Sequence, residues 1–323
     1  MFSKTLKMGL VLTLAFSSLS LTSCKGRVAP QVEAKQETTT PGNNFLDNTG
    51  GGGFNENTTP TTPTITAVAN PSLGSTPLGT WQAKGVAVSG NVVFASAVGK
   101  TKLVFTSGTV LKIEGGKYKD FATTLTYHPI ASTVQGIAFG GGKLFVADSG
   151  SYIYSVDPSS GKVTSVKSAP SKDIAVAGGN VFVANGSVEK ADSTMKTRSA
   201  VAGLTSSGGI GADNTGNVFA VNGSKVQKLG PSDTQPMDVI TTDISGGIDV
   251  AVDNRNGDLY VLEQQNIKRF NSSGSLMVSF PSTATAPVAI ALDDAGNIYV
   301  ADSGTAGTKD SSKIIKFGPG NLS

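Results

Sequence analysis

Pro287-Val-Ala-Ile-Ala-Leu-Asp-Asp-Ala-Gly-Asn-Ile-Tyr-Val-Ala-Asp-Ser-Gly304, followed after a polar loop by Lys313-Ile-Ile-Lys-Phe317, decides how the chain is read. Two short apolar strands flank an Asp-x-x-Gly-Asn turn, and a third strand follows. Upstream, the same unit recurs in weaker form. Its second strand returns as Asn91-Val-Val-Phe-Ala95, Lys143-Leu-Phe-Val-Ala-Asp148, Asn180-Val-Phe-Val-Ala-Asn185, Asn217-Val-Phe-Ala-Val-Asn222 and Asp258-Leu-Tyr-Val-Leu-Glu263. Each copy is preceded by a small apolar strand: Gly85-Val-Ala-Val88, Gly136-Ile-Ala-Phe139, Asp173-Ile-Ala-Val176, Gly209-Ile-Gly-Ala212 and Asp249-Val-Ala-Val252.

The aligned third positions (Val93, Phe145, Phe182, Phe219, Tyr260, Tyr299) are 52, 37, 37, 41 and 39 residues apart. A period near 40 with about four strands per unit is the signature of a propeller blade. Ala177-Gly-Gly-Asn180 and Phe139-Gly-Gly-Gly142 supply positive-φ residues for tight hairpins. Asp213-Asn-Thr-Gly-Asn217 and Asp293-Asp-Ala-Gly-Asn297 are longer turns whose leading Asp can accept its own loop's N–H groups. The first strand of each unit is small and apolar on both faces, as the innermost strand of a blade must be.

The unit Pro-x-x-Ile-Ala-x-Asp-x-x-Gly-Asn-Ile-Tyr-Val-Ala-Asp-Ser, then Lys-Ile-x-Lys-Phe, resembles the NHL repeat. The resemblance covers about residues 80 to 323 and implies an all-β, six-bladed β-propeller, with the sixth blade nearest the consensus and the first and third degenerate. Only Gly-Pro-Gly-Asn-Leu-Ser follows Phe317, so the last blade lacks an outer strand. Residues near Leu73–Trp81, including the single Trp, are expected to supply it and so remove two free sheet edges.

Ahead of the repeats the composition changes twice. Residues 1–23 carry Lys4 and Lys7, an apolar run Gly9–Phe16 and then small polar residues, the layout of a signal peptide. The run falls short of the ~20 residues that a bilayer span needs. Leu21-Thr-Ser-Cys24 resembles the lipobox of bacterial lipoproteins, and the chain's single cysteine occupies the position that the motif lipidates. That resemblance implies a lipid anchor on Cys24. Lys25 in place of Asp implies, by likeness to enterobacterial lipoproteins, sorting to the outer membrane. Residues 24–70 are rich in Thr, Pro, Gly and Asn, as in Thr58-Thr-Pro-Thr-Thr-Pro-Thr64, and bury too little apolar surface to offset ordering. They are expected to form a disordered linker between the anchor and a propeller at 71–323.

Charged residues are 15% of the chain, against roughly 25% in an average globular protein. Without Lys4 and Lys7 there remain 24 basic against 23 acidic residues, with no basic run, so nucleic acid is set aside. One Cys excludes an intramolecular disulfide or a thiolate metal cluster, and the single His128 weakens any mechanism built on imidazole.

If strands run as in other propellers, second-strand ends and first-strand starts share one face. That mouth would gather Asp148, Asn185, Asn222, Glu263 and Asp302 with Asp173 and Asp249, after Ser96 in the first blade. Grouped oxygen ligands suit Ca²⁺ or a polyhydroxy or cationic ligand. The competing role is local: Asp and Asn after a strand often cap their own loop. Asp148 and Asp302 match the repeat's own pattern and fit that role. Asp173 and Asp249 replace Gly or Ala of sister blades and are the stronger functional candidates.

The sequence thus describes a monomeric, lipid-anchored envelope propeller that binds or scaffolds protein or glycan partners and needs no resident cofactor. The second reading is a Ca²⁺-type hydrolase or lyase working in the acidic mouth. It requires Asp173 and Asp249 to converge with Glu263 and Asp302.

Overall fold

The computed structural model describes residues 72–100, 106–122, 134–150 and 152–319. Cys24, the linker and His128 lie outside them.

The described chain is entirely strand and turn. It begins with β1 (Ser72–Pro77), which is followed by the first blade: β2 (Gln82–Ser89), β3 (Val92–Lys100), β4 (Thr106–Glu114) and β5 (Lys117–Ala122). Blade 2 comprises β6 (Val134–Gly140), β7 (Lys143–Asp148), β8 (Tyr152–Val156) and β9 (Val163–Lys167). Blade 3 comprises β10 (Asp173–Ala177), β11 (Asn180–Asp192) and β12 (Arg198–Ser206). Blade 4 has β13 (Ile210–Ala212), β14 (Val218–Asn222), β15 (Lys225–Leu229) and β16 (Met237–Ile240). Blade 5 has β17 (Asp249–Val252), β18 (Leu259–Leu262), β19 (Asn266–Phe270) and β20 (Leu276–Pro281). Blade 6 closes the chain with β21 (Pro287–Leu292), β22 (Ile298–Asp302) and β23 (Lys313–Phe317). All pairings are antiparallel meanders, and the sixth sheet has the order β1-β23-β22-β21.

Blade 3 has three strands on paper and four legs in space. Lys190 Nζ sits 6.0 Å over the ring of Phe182, eight residues earlier in β11. A straight strand would carry eight residues about 26 Å, so the chain folds back near Gly186, whose φ is 85°. The fold is therefore a ring of six four-stranded blades.

The N-terminal strand closes that ring, antiparallel to β23 from Ser72↔Phe317 to Pro77↔Lys313. Its bounds differ from the sequence expectation. Pro77 ends it, because the ring nitrogen offers no N–H, and the chain turns at Gly79 with φ 65°. Trp81 is therefore outside the closing strand. It packs on Gly99, where a Cβ would sit 2.6 Å from Trp81 Cε3, and on the apolar cluster between blades 6 and 1.

Six apolar clusters, one at each blade–blade interface, hold the described residues together. Second strands contribute to every one: Leu144, Val146, Val181, Val183, Val218, Ala220, Val261 and Val300 are all buried. Every such Val or Leu contributes about 1.5–3 kcal/mol on burial.

A further regularity spans the second and third strands. Phe219 pairs with Lys228, Tyr260 with Arg269 and Tyr299 with Lys316, the cation lying 5.3–5.9 Å from the ring centre. Blade 2 has Ser155 opposite Phe145 instead. Blade 5 makes two changes together. Asp258 stands where neighbouring blades have Asn217 and Asn297, and Arg269 replaces Lys. Arg269 is fully buried and its Nε donates to Asp258 Oδ2 at 2.6 Å, so the charge enters the interior already paired. Lys316→Met keeps the aliphatic stem and removes the charge over Tyr299. It is expected to lower stability by about 0.5–1 kcal/mol, read from the urea midpoint.

Candidate functional site

The innermost strand of each blade ends its sheet, so one edge of β2, β6, β10, β13, β17 and β21 faces the axis without a strand partner. Edge N–H and C=O groups left this way need partners. At the top of the axis, the equivalent first positions are Gly85, Gly136, Asp173, Gly209, Asp249 and Ala289. Here the two candidate acids do their work.

Asp173 Oδ2 accepts the N–H of Ile210 in the next blade at 2.7 Å, and the carboxylate also takes the N–H of its own neighbour Ile174. Asp249 repeats the arrangement. Its Oδ2 accepts Ile290 N–H at 2.8 Å, and its Oδ1 accepts Val250 N–H at 2.8 Å. Each carboxylate therefore clasps its blade to the following one. The preceding glycine makes room: a Cβ on Gly136 would overlap Asp173 Oδ1, and one on Gly209 would overlap Asp249 Oδ1.

The other junctions use different links. Blades 2 and 3 join through Gly136 N–H to Lys172 O at 3.0 Å, and blades 4 and 5 through Gly209 N–H to Ile248 O at 2.7 Å. The Ser96 hydroxyl donates to Gln135 O between blades 1 and 2. Between blades 6 and 1, Ala83 N–H donates to Ser312 Oγ at 3.0 Å. Backbone bonds and carboxylate clasps alternate from blade 2 to blade 6.

Both carboxylates approach the same point beside Gly209, so they feel each other. Burial raises Asp173 from 3.8 to about 6, against the pull of the Ile210 and Ile174 N–H groups. Burial also raises Asp249 well above the ordinary carboxylate value, and the negative charge of Asp173 adds to it. Folded chains therefore hold protons that unfolded chains have released across the window from about pH 4 to 6. Stability contributed by this pair is full below the unfolded value and is lost as pH rises through the folded one. The exposed Asp157 and Asp192, both lowered, act in the opposite sense and only below about pH 4. Thermal midpoints are expected to rise as pH falls from 7 to 4.5, and Asp249→Asn should flatten that slope.

Of the remaining sequence candidates, the three acids cap loops. Asp302 is buried and accepts the N–H groups of Thr285, Ala286 and Gly304 at 2.8–3.0 Å. Asp148 Oδ1 accepts Gly150 N–H at 2.5 Å. Glu263 Oε1 accepts Ser245 N–H at 2.7 Å and lies 3.1 Å from Lys268 Nζ. Asn222 donates to Thr205 Oγ1 at 2.7 Å, and Asn185 is exposed at the bend of β11. Asp173 and Asp249 come together; Asp148, Glu263 and Asp302 each cap a separate loop. Among the described residues no three His, Cys, Asp or Glu side chains gather where one ion could be held.

Beneath the ring runs an axial channel of about 460 Å³. Its wall starts at the residue after each ring position and ends at the hairpin turns of the opposite face, at Gly90, Gly141, Asn214, Asn254 and Asp294. Those turn residues are exposed, whereas every ring member except Asp173 is buried. The channel thus opens on the face away from the acids. The sequence pointed to the other end, because the repeat's own acids cluster there. The alternation of Gly with Asp at the ring position was the signal for a clasp.

No family model matches the chain, and no curated protein matches it. Among solved structures, a nidogen/laminin complex contains a chain with a TM-score of 0.53 and 17% identity, over 65% of this chain and 84% of that one. The WD40 β-propeller domain of Doa1 aligns with a TM-score of 0.53 and 9% identity, over 77% of this chain and 96% of that one. At these identities the likeness shows the fold: a six-bladed β-propeller built from repeats.

Proposed function

We propose that this chain is an NHL-type propeller of the bacterial cell envelope, anchored in the outer membrane through lipid on Cys24, and that it serves as a binding or scaffolding module for protein or carbohydrate partners. One observation carries the choice of a module over a hydrolase or lyase. Asp173 and Asp249 are committed to the N–H groups of adjoining blades, and Asp148, Glu263 and Asp302 to loop N–H groups. An acid, base or ion ligand needs lone pairs free for the reaction, and these carboxylates spend theirs on architecture. A ring fixed at every junction is instead a rigid platform, which lowers the ordering cost of binding. The nidogen/laminin and WD40 likenesses agree with a platform role without specifying a partner.

The test pairs two measurements on the full chain. Cys24→Ala should abolish palmitate incorporation and membrane partition. Thermal unfolding with Ca²⁺ and then with chelator should give coincident midpoints. An ion at 100 times its dissociation constant would add about 2.7 kcal/mol, so a Ca²⁺ shift removed by Asp249→Ala would overturn the module reading in favour of the metal-dependent one.

A further inference from the structure

We infer that the open end of the axial channel, on the face opposite Asp173 and Asp249, receives a neutral sugar of one or two rings. This rests on the binding-module reading and adds to it a site and a ligand class.

The wall is made of strand edges. Strand alternation that points Ile210 N–H and Ile290 N–H at the carboxylates brings the next edge groups, at Ala212 and Leu292, into the wall two residues on. Donors and acceptors therefore alternate along the strand edges that form the wall. Midway down, all six strands carry Ala or Gly (Ala87, Ala138, Ala175, Gly211, Ala251 and Ala291), which leaves a chamber rather than a plugged core. Its 460 Å³ falls within the roughly 300–1,000 Å³ of ligand pockets.

Charge narrows the class. The lining contains three aspartates and neither lysine nor arginine. Asp213 and Asp293 turn into their own loops, taking the N–H groups of Asn217 and Asn297 at 2.8 Å. Asp294 stays exposed at the mouth. Beside it Asn254 accepts Asn214 N–H at 2.9 Å through Oδ1 and keeps its amide hydrogens as donors. An anion would meet Asp294 at the entrance and the Asp pair at the blind end. A cation would meet N–H groups as often as C=O groups along the wall, with Asp213 and Asp293 already engaged by their own loops. A hydroxyl donates and accepts, and so suits both edge and rim.

The experiment is calorimetric titration of the full chain with glucose, galactose, mannose and N-acetylglucosamine, singly and as dimers, with acetate and tetramethylammonium as charged controls. One neutral sugar is expected to bind, and Asp294→Ala and Asn254→Ala should each weaken it about fivefold or more by removing a rim hydrogen bond. Both residues are exposed, so the variants should fold. Glu263→Gln, on the other face, should leave binding unchanged. Absence of sugar binding, preference for a charged control, or sensitivity to Glu263→Gln but not to the rim variants would each overturn the inference. A defined protein adduct on the propeller without sugar binding would sink this inference and leave the module reading standing; a Ca²⁺ shift removed by Asp249→Ala would sink the module reading itself.

Discussion

A chain carrying Asp173→Ala and Asp249→Ala together is expected to lose about 3–5 kcal/mol, because four edge N–H groups then lack acceptors at about 1–3 kcal/mol each, less the relief of two crowded carboxylates. For a propeller of this size that is a fall of about 10 °C or more in thermal midpoint. The groups at risk are Ile174, Ile210, Val250 and Ile290. Loop caps such as Asp148 would not behave this way, since they hold loop N–H groups and not the strand edge of the next blade. A second variant separates clasping from general damage. Gly209→Ala places a methyl into Asp249 Oδ1 and Cγ, and the close contacts it makes are with carboxylate atoms. It should destabilise the parent by about 1–3 kcal/mol and much less in the Asp249→Ala background. Additive effects would sink the clasp.

Deletion of residues up to 77 is expected to have the larger effect. It removes every β1–β23 bond from Ser72↔Phe317 to Pro77↔Lys313, at about 1 kcal/mol each, and turns β23 into an open edge. Leu78, fully buried and tied by its N–H to Ser312 O at 2.9 Å, loses its lead-in. Chains starting at Leu78 should unfold tens of degrees lower or associate through blade 6, as judged by light scattering. A chain starting at 61 should match the parent. If the shorter chain kept the parent's midpoint, the closing role of β1 would be wrong.

Repetition made the blades legible. Variants of Asn-x-Phe/Tyr-Val-Ala return at spacings of 37 to 52 residues, and the hairpin glycines mark where many of the strand pairs turn. The special status of Asp173 and Asp249 was also visible, as departures from Gly and Ala at one repeat position. Their task was not, because the N–H groups they hold belong to Ile210 and Ile290, a whole blade further on. Local spacing carries no trace of that contact. Gly136 and Gly209 looked like ordinary strand glycines until the following blade's carboxylate occupied the space beside them. The bound at Pro77 followed from the ring nitrogen, yet Trp81 drew the expected strand too far. The β11 fold-back did carry a signal: Asn185-Gly186 is the Asn-Gly dipeptide of tight hairpins, set directly after the apolar run Val181–Ala184.

Closure by β1 also sets a timetable. Ser72–Pro77 is made first and its partner, Lys313–Phe317, last. The early strand waits for its mate until the 235 residues between Pro77 and Lys313 have followed it. During that interval it is a single unpaired strand beside growing blades, a hazard for mispairing between nascent chains. Gly74, with φ 101°, breaks its register, and Pro77 removes one donor from its edge. Those two residues make the strand a poor template for strangers while leaving it able to pair with β23 when the last blade arrives.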